Sequence, residues 1–230
     1  MEDETNQVDL FDSVLNKALL KQQVYKNTFE AAKLFKEVIV EVVGEFKQKL
    51  SPEEAHISFE YKDKDAFEME LKFAGDVLIF MMHTNVFEFP RNHEIMRCNY
   101  IREDKNHSYC GIINIYNFLA DSFKYNREND IGYLIGRVFI NSENHYYIEG
   151  KKELGLIYND FCNNIISKEA VKGIVEKAIL YTSNFDLLTP PYDEVKEVSL
   201  FEIQSNIDNI QLKTGKRLGF KFQADSENMK

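Results

Sequence analysis

The sequence predicts an α+β domain in which a mainly antiparallel sheet of five to six strands is covered by N-terminal and C-terminal helices. Three observations lead to this fold class. Residues 8–50 carry apolar side chains at spacings of three and four, which is typical of a helix that packs on a core. Residues 57–73 alternate apolar and charged side chains, as half-exposed antiparallel strands do. Residues 108–150 hold long apolar runs between polar turns, and further helical patterns follow them.

The N-terminal segment is predicted to be helical and to pack on the sheet. Its apolar positions are Val8, Phe11, Leu15, Ala18, Val24, Ala31, Phe35, Val38, Val42 and Phe46. Asn27, Thr28 and Gly44 weaken the pattern, so one long helix and two shorter helices both fit. A strict heptad seam breaks at Thr28 and Glu45, which favours a core-packed helix over a coiled coil.

The next residues give the clearest strand signal. Residues 57–61 and 67–73 each have one apolar and one charged face, and residues 77–82 are apolar on both faces, which predicts a more central strand. Residues 85–90 either continue as a strand or leave the sheet. Residues 90–106 are polar and irregular, which predicts a loop.

The middle of the chain supplies the remaining strands. Residues 110–119 are rich in isoleucine and aromatic residues, and residues 131–140 are apolar on both faces, so this strand is predicted to be central. The polar residues 141–144 then predict a hairpin loop. If this four-residue loop sets the register, Phe139 faces Tyr146 and Arg137 faces Ile148.

The C-terminal part is predicted to be mainly helical. Residues 151–166 are ambiguous, whereas Ser167 is a helix N-cap and Ser199 begins a capping box with Glu202. We therefore divide the chain into a helical segment (1–50), an α+β domain (51–212) and a basic and polar tail (213–230).

Bulk properties narrow the function classes. The chain has 230 residues and a formal net charge of −10, which argues against nucleic acid as a partner. Three widely spaced cysteines predict a reduced, cytoplasmic protein without a disulfide framework. The longest uncharged apolar run, residues 77–82, is too short to span a bilayer, so no membrane association is expected.

One group of residues has metal-ligand chemistry. His93, Cys98, His107 and Cys110 lie around one loop, and zinc prefers four such nitrogen and sulfur ligands. The spacing between His93 and Cys98 differs from the spacing between His107 and Cys110, and the cysteine pairs of common zinc sites are missing. Surface histidines and structural thiols are the alternative interpretation.

A second pattern suggests a metal-dependent hydrolase or nuclease. Glu53 after Pro52, followed by Glu70 and Lys72, imitates the acidic E-x-K signature in which carboxylates hold Mg²⁺. The polar face of an alternating strand explains Glu70 and Lys72 equally well.

Arg137 is the candidate ligand-binding residue. It lies in an otherwise apolar strand, where a buried guanidinium needs an acceptor. It could anchor an anionic ligand, or it could pair with a glutamate on a neighbouring strand, which is how most buried charges are satisfied.

Three segments carry a resemblance to a known family. Residues 76–90 (DVLIFMMHTNVFEFP), 111–126 (GIINIYNFLADSFKYN) and 212–222 (LKTGKRLGFKF) resemble uncharacterised conserved proteins of Bacteroides-type bacteria. The resemblance implies a bacterial cytoplasmic protein, and it carries no activity or site residues.

The predicted function is therefore binding. We expect a non-enzymatic cytoplasmic module that binds a protein partner or a small ligand through its sheet and loops. The many aromatic residues also fit a homodimer surface, and the N-terminal helix is the segment expected to pair with a second copy. The alternative is the metal-dependent hydrolase or nuclease, with zinc as a cofactor if the loop residues converge.

Overall fold

The computed structural model describes residues 2–150, 160–185, 189, 191–201 and 203. The helices are α1 (Glu2–Lys49), α2 (Asn99–Glu103), α3 (Ala120–Lys124), α4 (Lys168–Ser183) and α5 (Tyr192–Val195). The strands are β1 (Phe59–Asp63), β2 (Glu68–Phe73), β3 (Asp76–Met82), β4 (Phe87–Glu88), β5 (Tyr109–Leu119), β6 (Tyr133–Asn141) and β7 (Tyr146–Gly150). Short 3₁₀ turns span Glu94–Arg97 and Lys105–Ser108. The predicted tail (213–230), residues 151–159 and most of the helix predicted after Ser199 lie outside the described residues.

All strand pairs are antiparallel, which confirms the predicted α+β class with an antiparallel sheet. The order is β1-β2-β3-β5-β6-β7, so each of these strands lies beside its neighbour in the chain. The short β4 adds a seventh strand, because residues 87–88 pair with the first residues of β5 beyond the end of β3. The sequence allowed residues 85–90 either to continue as a strand or to leave the sheet. The chain leaves the sheet after β3 and rejoins it for two residues, so each interpretation is correct for part of this segment.

One face of the sheet is covered by the second half of α1 and by α4. Buried apolar side chains from both helices and from six strands form one core here. Phe35 of α1 packs against Phe80 of β3 with ring centroids 5.7 Å apart. As predicted, Ser167 caps α4, because its side chain accepts a hydrogen bond from the backbone N–H of Ala170.

α1 is one continuous helix, and it runs without a break through Asn27 and Thr28, the two polar residues that interrupt its apolar pattern. The hydroxyl of Thr28 donates to the carbonyl of Val24 at 2.7 Å. The side-chain amide of Asn27 donates to the carbonyls of Asn141 and Ser142, at 3.1 and 2.7 Å. Both buried polar groups are therefore satisfied, so neither interrupts the helix.

α1 approaches β5 closely at Gly111. A Cβ added to this glycine would lie 2.8 Å from the Cβ of Thr28 and nearer still to its hydroxyl oxygen. Real side chains do not come this close, so only glycine at this position allows α1 to pack this close to β5.

The other face of the sheet has a smaller core at one end. The segment from 89 to 109 and the turn at 160–164 cover the start of β5 and the adjoining β6–β7 hairpin. We call this group the second core; it comprises Phe89, Ile95, Ile101, Cys110, Ile112, Phe139, Tyr147 and Phe161.

The loop of the β6–β7 hairpin is one residue longer than the sequence predicted. Ile140 pairs with Tyr146, so Phe139 faces Tyr147 and Arg137 faces Glu149. The cause is the side chain of Asn141, whose oxygen accepts hydrogen bonds from the backbone N–H groups of residues 143 and 145, both at 2.9 Å. Asn144 takes a left-handed conformation with φ of 64°, which asparagine tolerates better than most residues. The predicted register was therefore wrong.

The first half of α1 does not pack on the core, in contrast to the prediction. The sequence placed Phe11 and Leu15 on the buried side of the helix, and both side chains are exposed. The reason is length. A helix of 48 residues is about 72 Å long at 1.5 Å per residue. The longest strand has 11 residues and spans about 37 Å. The sheet can therefore cover only about half of the helix.

Candidate functional site

The first half of α1 carries the main exposed apolar surface of this helix. Among its described side chains, Val24 is the first that is fully buried. Five large apolar side chains precede it on adjacent helical turns. They are Leu10 (64% exposed), Phe11 (67%), Val14 (61%), Leu15 (43%) and Leu19 (54%). We call these five residues the apolar stripe.

The stripe is a contiguous surface because of its spacing. Its members follow one another at intervals of one, three and four residues, which places them on one half of the helical cylinder. Ser13 and Asn16, both exposed, lie on the opposite side at about 100° per residue. Contiguous exposed apolar surface with a polar rim is typical of protein–protein contact sites.

Charge is segregated along the same part of α1. Residues 2–9 include four acidic residues and no basic residue. Residues 17–26 include Lys17, Lys21 and Lys26 and no acidic residue. The stripe begins after the acidic region and overlaps the start of the basic region, so this half of the helix has an acidic beginning and a basic end.

The basic end of the stripe adjoins the sheet. The ammonium group of Lys17 donates a hydrogen bond to the hydroxyl of Tyr109, and this hydroxyl donates to a carboxylate oxygen of Glu88 at 2.7 Å. An open groove of about 630 Å³ follows between α1 and the residues that join β3 to β4. Its lining residues are Lys21, Gln22, Tyr25, Thr84, Asn85, Val86 and Phe87.

Arg137 contacts the neighbouring strand instead of standing alone. Its guanidinium forms an ion pair with Glu149, its direct cross-strand partner on β7. Its charge also lies 5.4 Å from the ring centre of Phe139. Both side chains of the ion pair are partly exposed, and the contact is the paired arrangement that the sequence offered as the structural interpretation.

Three of the four predicted zinc ligands take part in other contacts. Cys110 is buried in the second core, and burial raises the pKa of its thiol well above the usual value. The Nδ1 atom of His93 accepts from the N–H of Ile95 at 3.3 Å, and its ring packs on Phe89. Cys98 is partly buried and packs against the second core.

The fourth predicted ligand, His107, belongs to an aromatic stack. The ring of Tyr100 lies between the rings of His107 and His145, with centroids 3.9 and 4.5 Å away and planes within 16°. The hydroxyl of Tyr100 donates to a carboxylate oxygen of Glu143 at 2.6 Å and accepts from the amide of Asn141 at 2.9 Å. We call these residues the tyrosine–histidine stack.

The two histidines of the stack are held in the same tautomer. Nδ1 of His107 lies 2.9 Å from the carbonyl of Tyr100, and Nδ1 of His145 lies 2.9 Å from the carbonyl of Phe161. Because a carbonyl can only accept, each Nδ1 carries the proton, and Nε2 is the acceptor in the neutral ring. Nε2 of His107 lies 3.5 Å from Glu143.

Sequence reasoning named His107 and missed its neighbours. Tyr100 comes from α2, whereas Glu143 and His145 come from the β6–β7 hairpin loop, and no local spacing relates these two segments. Within the described parts of the chain, which contain all four predicted zinc ligands, no three histidine, cysteine or acidic side chains form a group that could hold a metal ion.

The nuclease-like residues are also engaged elsewhere. Glu70 is buried, although the sequence suggested a solvated strand face. Its carboxylate forms ion pairs with Lys62 at 3.2 Å and with Lys64 at 3.1 Å, and these long side chains cover it. Glu53 lies exposed in the turn after α1.

Two tyrosines around the second core have raised pKa values. Burial, and then the hydrogen bond to Glu94, raises the pKa of Tyr147 from 10.0 to about 12. Burial, and then the hydrogen bond to Glu143, raises the pKa of Tyr100 still further. The same hydrogen bond from Tyr100 lowers the pKa of Glu143. Both phenols are therefore held in the neutral form.

We expect the protein to lose stability between pH 10 and pH 12. A pKa that is raised on folding contributes stability that is complete below the unfolded value, here 10.0, and that is lost as the pH rises through the folded value, about 12 for Tyr147. Chemical unfolding at several pH values should show a smaller loss for Tyr147→Phe than for the parent chain. Tyr192→Phe is the control, because Tyr192 is 79% exposed. Equal losses in all three proteins would contradict this role of Tyr147.

Comparisons with protein families, with curated proteins and with solved structures find no match to this chain. None of the helices in the described part of the chain combines the length and the apolar content that crossing a bilayer requires.

Proposed function

We propose that this chain is a protein-binding module of the cytoplasm, and that its partner at the apolar stripe is a second copy of itself. The observation that carries this proposal is the exposure of five large apolar side chains on a helix whose second half packs on the sheet. Most helices in water are stabilised by packing of one apolar face, so the first half of α1 lacks this support until a partner covers it.

A second copy fits the stripe because a two-fold contact uses the same surface twice. The stripe of one chain is short, and a stable interface buries about 1,000 Å² or more in total. In a two-fold pair, both chains contribute the same five side chains. The buried apolar area is therefore twice that of one stripe, and no other part of the chain has to take part. The interface would still be smaller than average, and we expect a dimer that dissociates on dilution.

The charges favour an antiparallel pair. If the two helices run in opposite directions about the middle of the stripe, segment 2–9 of one chain, with its four acids, lies beside segment 20–27 of the other, which contains Lys21 and Lys26. A parallel pair would place acids beside acids in a chain with a net charge of −10. The segregation of charge along α1 therefore supports one orientation.

Sedimentation velocity of the full chain over about 1 to 200 µM tests this proposal. We expect a single boundary that moves from the mass of one chain, 27.0 kDa, towards twice that mass as concentration rises. A strict monomer over the whole range would overturn the proposal. Association that continues past the dimer would also overturn it, because a two-fold contact closes at two copies.

The metal-dependent hydrolase or nuclease stays a prediction to which the described side chains lend no support. Elemental analysis of protein purified without a chelator would separate it from the binding module. Stoichiometric zinc or another divalent metal would favour the enzyme.

A further inference from the structure

The open groove between α1 and the residues that join β3 to β4 continues the side of the helix that carries the apolar stripe. Its α1 wall consists of Lys21, Gln22 and Tyr25. At about 100° per residue, these three residues lie on the same half of the helical cylinder as the stripe, and Lys21 follows Leu19 after two positions. A segment that follows the stripe towards the sheet therefore enters this groove.

The second wall of the groove is formed by residues 84–87, which lead from β3 into β4. The backbone N–H of Asn85 donates to Nδ1 of His83 at 3.0 Å, and Phe87 pairs with Cys110 of β5. The ring of Phe87 also packs edge-on against the ring of His83, with centroids 4.8 Å apart. The sheet therefore shapes this wall before any partner arrives.

The groove has the chemistry of a site for an acidic segment. Among the described residues that line it, Lys21 carries the only charge, and none is acidic. The side chains of Gln22, Thr84 and Asn85 can each donate a hydrogen bond to a carboxylate. Sites for small molecules bury most of the ligand surface, whereas this groove is open. An open groove suits a segment that belongs to a larger partner and is also held elsewhere.

The antiparallel pair brings an acidic segment to this place. If the two helices cross at the middle of the stripe, residue 10 of one chain lies opposite residue 19 of the other. Residue 8 then lies opposite residue 21, and residue 4 lies opposite residue 25. Asp3 and Glu4 precede Leu10 and Phe11 by seven residues, about two helical turns, so their positions lie on the stripe side of α1.

We propose that this groove receives the acidic N-terminal segment, residues 2–9, of the second copy. The inference rests on the proposed function, because it requires the antiparallel pair at the stripe. Each chain offers one groove and one acidic segment, so the two-fold pair contains this contact twice. The two contacts extend the interface at both ends of the stripe, which by itself is small for a stable dimer.

Zero-length cross-linking of the full chain tests where the acidic segment lies. A carbodiimide joins a carboxylate to an amine that touches it, and one water is lost for each amide bond. Within one helix, Lys21 lies twelve residues, or about 18 Å, from Asp9, the nearest acid of segment 2–9. A bond between them therefore joins two chains. We expect a digest of the covalent dimer to contain Lys21 joined to a peptide of residues 2–9.

The same experiment contains a control for the reagent. Lys172 and Glu45 form an ion pair at 2.6 Å within one chain, so they should be joined in monomer and dimer alike. A mixture of isotope-labelled and unlabelled protein should give the Lys21 product with one peptide from each kind of chain.

Two substitutions at Asn85 test the second wall, because its side chain is exposed and lies outside α1. In sedimentation velocity, Asn85→Glu should weaken the dimer about threefold to tenfold, and Asn85→Lys should strengthen it by a similar factor. Gln48→Glu and Gln48→Lys are the matched controls, since Gln48 is exposed and lies about 35 Å beyond Tyr25 along α1. Both controls should stay within about twofold of the parent chain at physiological salt, where charges are screened beyond about 8 Å.

Two results would overturn this inference and leave the dimer in place. One is a dimer in sedimentation velocity that gives the Lys172 product without any bond from Lys21 to residues 2–9. The other is equal association of the two Asn85 variants. A strict monomer at all concentrations would instead overturn the proposed function, and this inference with it.

Discussion

A chain that carries Phe11→Glu and Leu15→Glu is expected to sediment as a monomer at concentrations where the parent chain forms dimers. Both residues lie in the apolar stripe, and a carboxylate buried there would lose its hydration without a partner. Each substitution should weaken the pair about tenfold or more, because truncating or charging a central interface residue commonly costs more than about 1.4 kcal/mol. Sedimentation velocity measures the change.

The matched control is Ser13→Glu with Asn16→Glu. It adds the same two charges to the same helical turns, and both residues are exposed on the opposite side of α1. We expect its association to stay within a few-fold of the parent chain. If the control dissociates as strongly as the stripe variant, net charge and not the stripe governs association. At concentrations low enough that both variants are monomers, their circular dichroism should be similar, because neither pair touches the core.

Replacing Gly111 by alanine is expected to destabilise the fold by about 3 kcal/mol or more, near or above the upper end of the usual cost of overpacking. The new Cβ would overlap three atoms of Thr28, which is fully buried under α1, so the helix or the strand has to move. Urea unfolding measures the change. Gly44→Ala is the control, since a Cβ there meets no atom within 4 Å, and we expect it to stabilise α1 by up to about 1 kcal/mol.

A double-mutant cycle with Thr28→Ala shows whether the helix–strand contact is the cause. Thr28→Ala alone removes the hydrogen bond to Val24 and leaves a small cavity, so it destabilises. In the Gly111→Ala chain the same substitution also removes the overlap with the hydroxyl and methyl groups of Thr28, and only the contact with its Cβ at 2.8 Å stays. The second loss should therefore be smaller than the first or reversed. Strict additivity would mean that the added methyl acts on the strand and not on the helix above it.

The sheet could be predicted well because alternation identifies its outer strands β1 and β2, and runs that are apolar on both faces identify its central strands. Residues 59–63 and 68–73 show one apolar and one charged face, and adjacent antiparallel strands need no information from distant segments. The same reasoning failed at the β6–β7 hairpin. There the loop length depends on which backbone groups the side chain of Asn141 accepts, and the sequence does not show this.

The candidate sites were harder to predict because they depend on segments that meet only in the fold. Arg137 could be given a glutamate partner, since cross-strand neighbours are local. The tyrosine–histidine stack joins Tyr100 and His107 to His145, which lies far along the chain and has no recognisable spacing to them. Sequence reasoning therefore found His107 but gave it to a zinc site.

The apolar stripe shows a different limit of sequence reasoning. Phe11 and Leu15 have the same spacing as the buried positions of α1, because a helix face that meets a partner needs the same residues as one that meets a core. Only the comparison of the helix with the shorter strands reveals which positions the sheet cannot cover. Periodicity predicted that this face is buried, and we propose that a second copy buries it.

The central claim is that the sheet covers the second half of α1 and that a second copy covers the first half. Hydrogen exchange of the full chain at low and high concentration tests it most directly. We expect the amides of residues 10–19 to exchange quickly in dilute protein and to gain protection as concentration rises, while residues 31–43, which lie on the sheet, stay protected throughout. Protection at residues 10–19 that does not change with concentration would contradict the account, because the stripe would then be covered, or left uncovered, without a second copy.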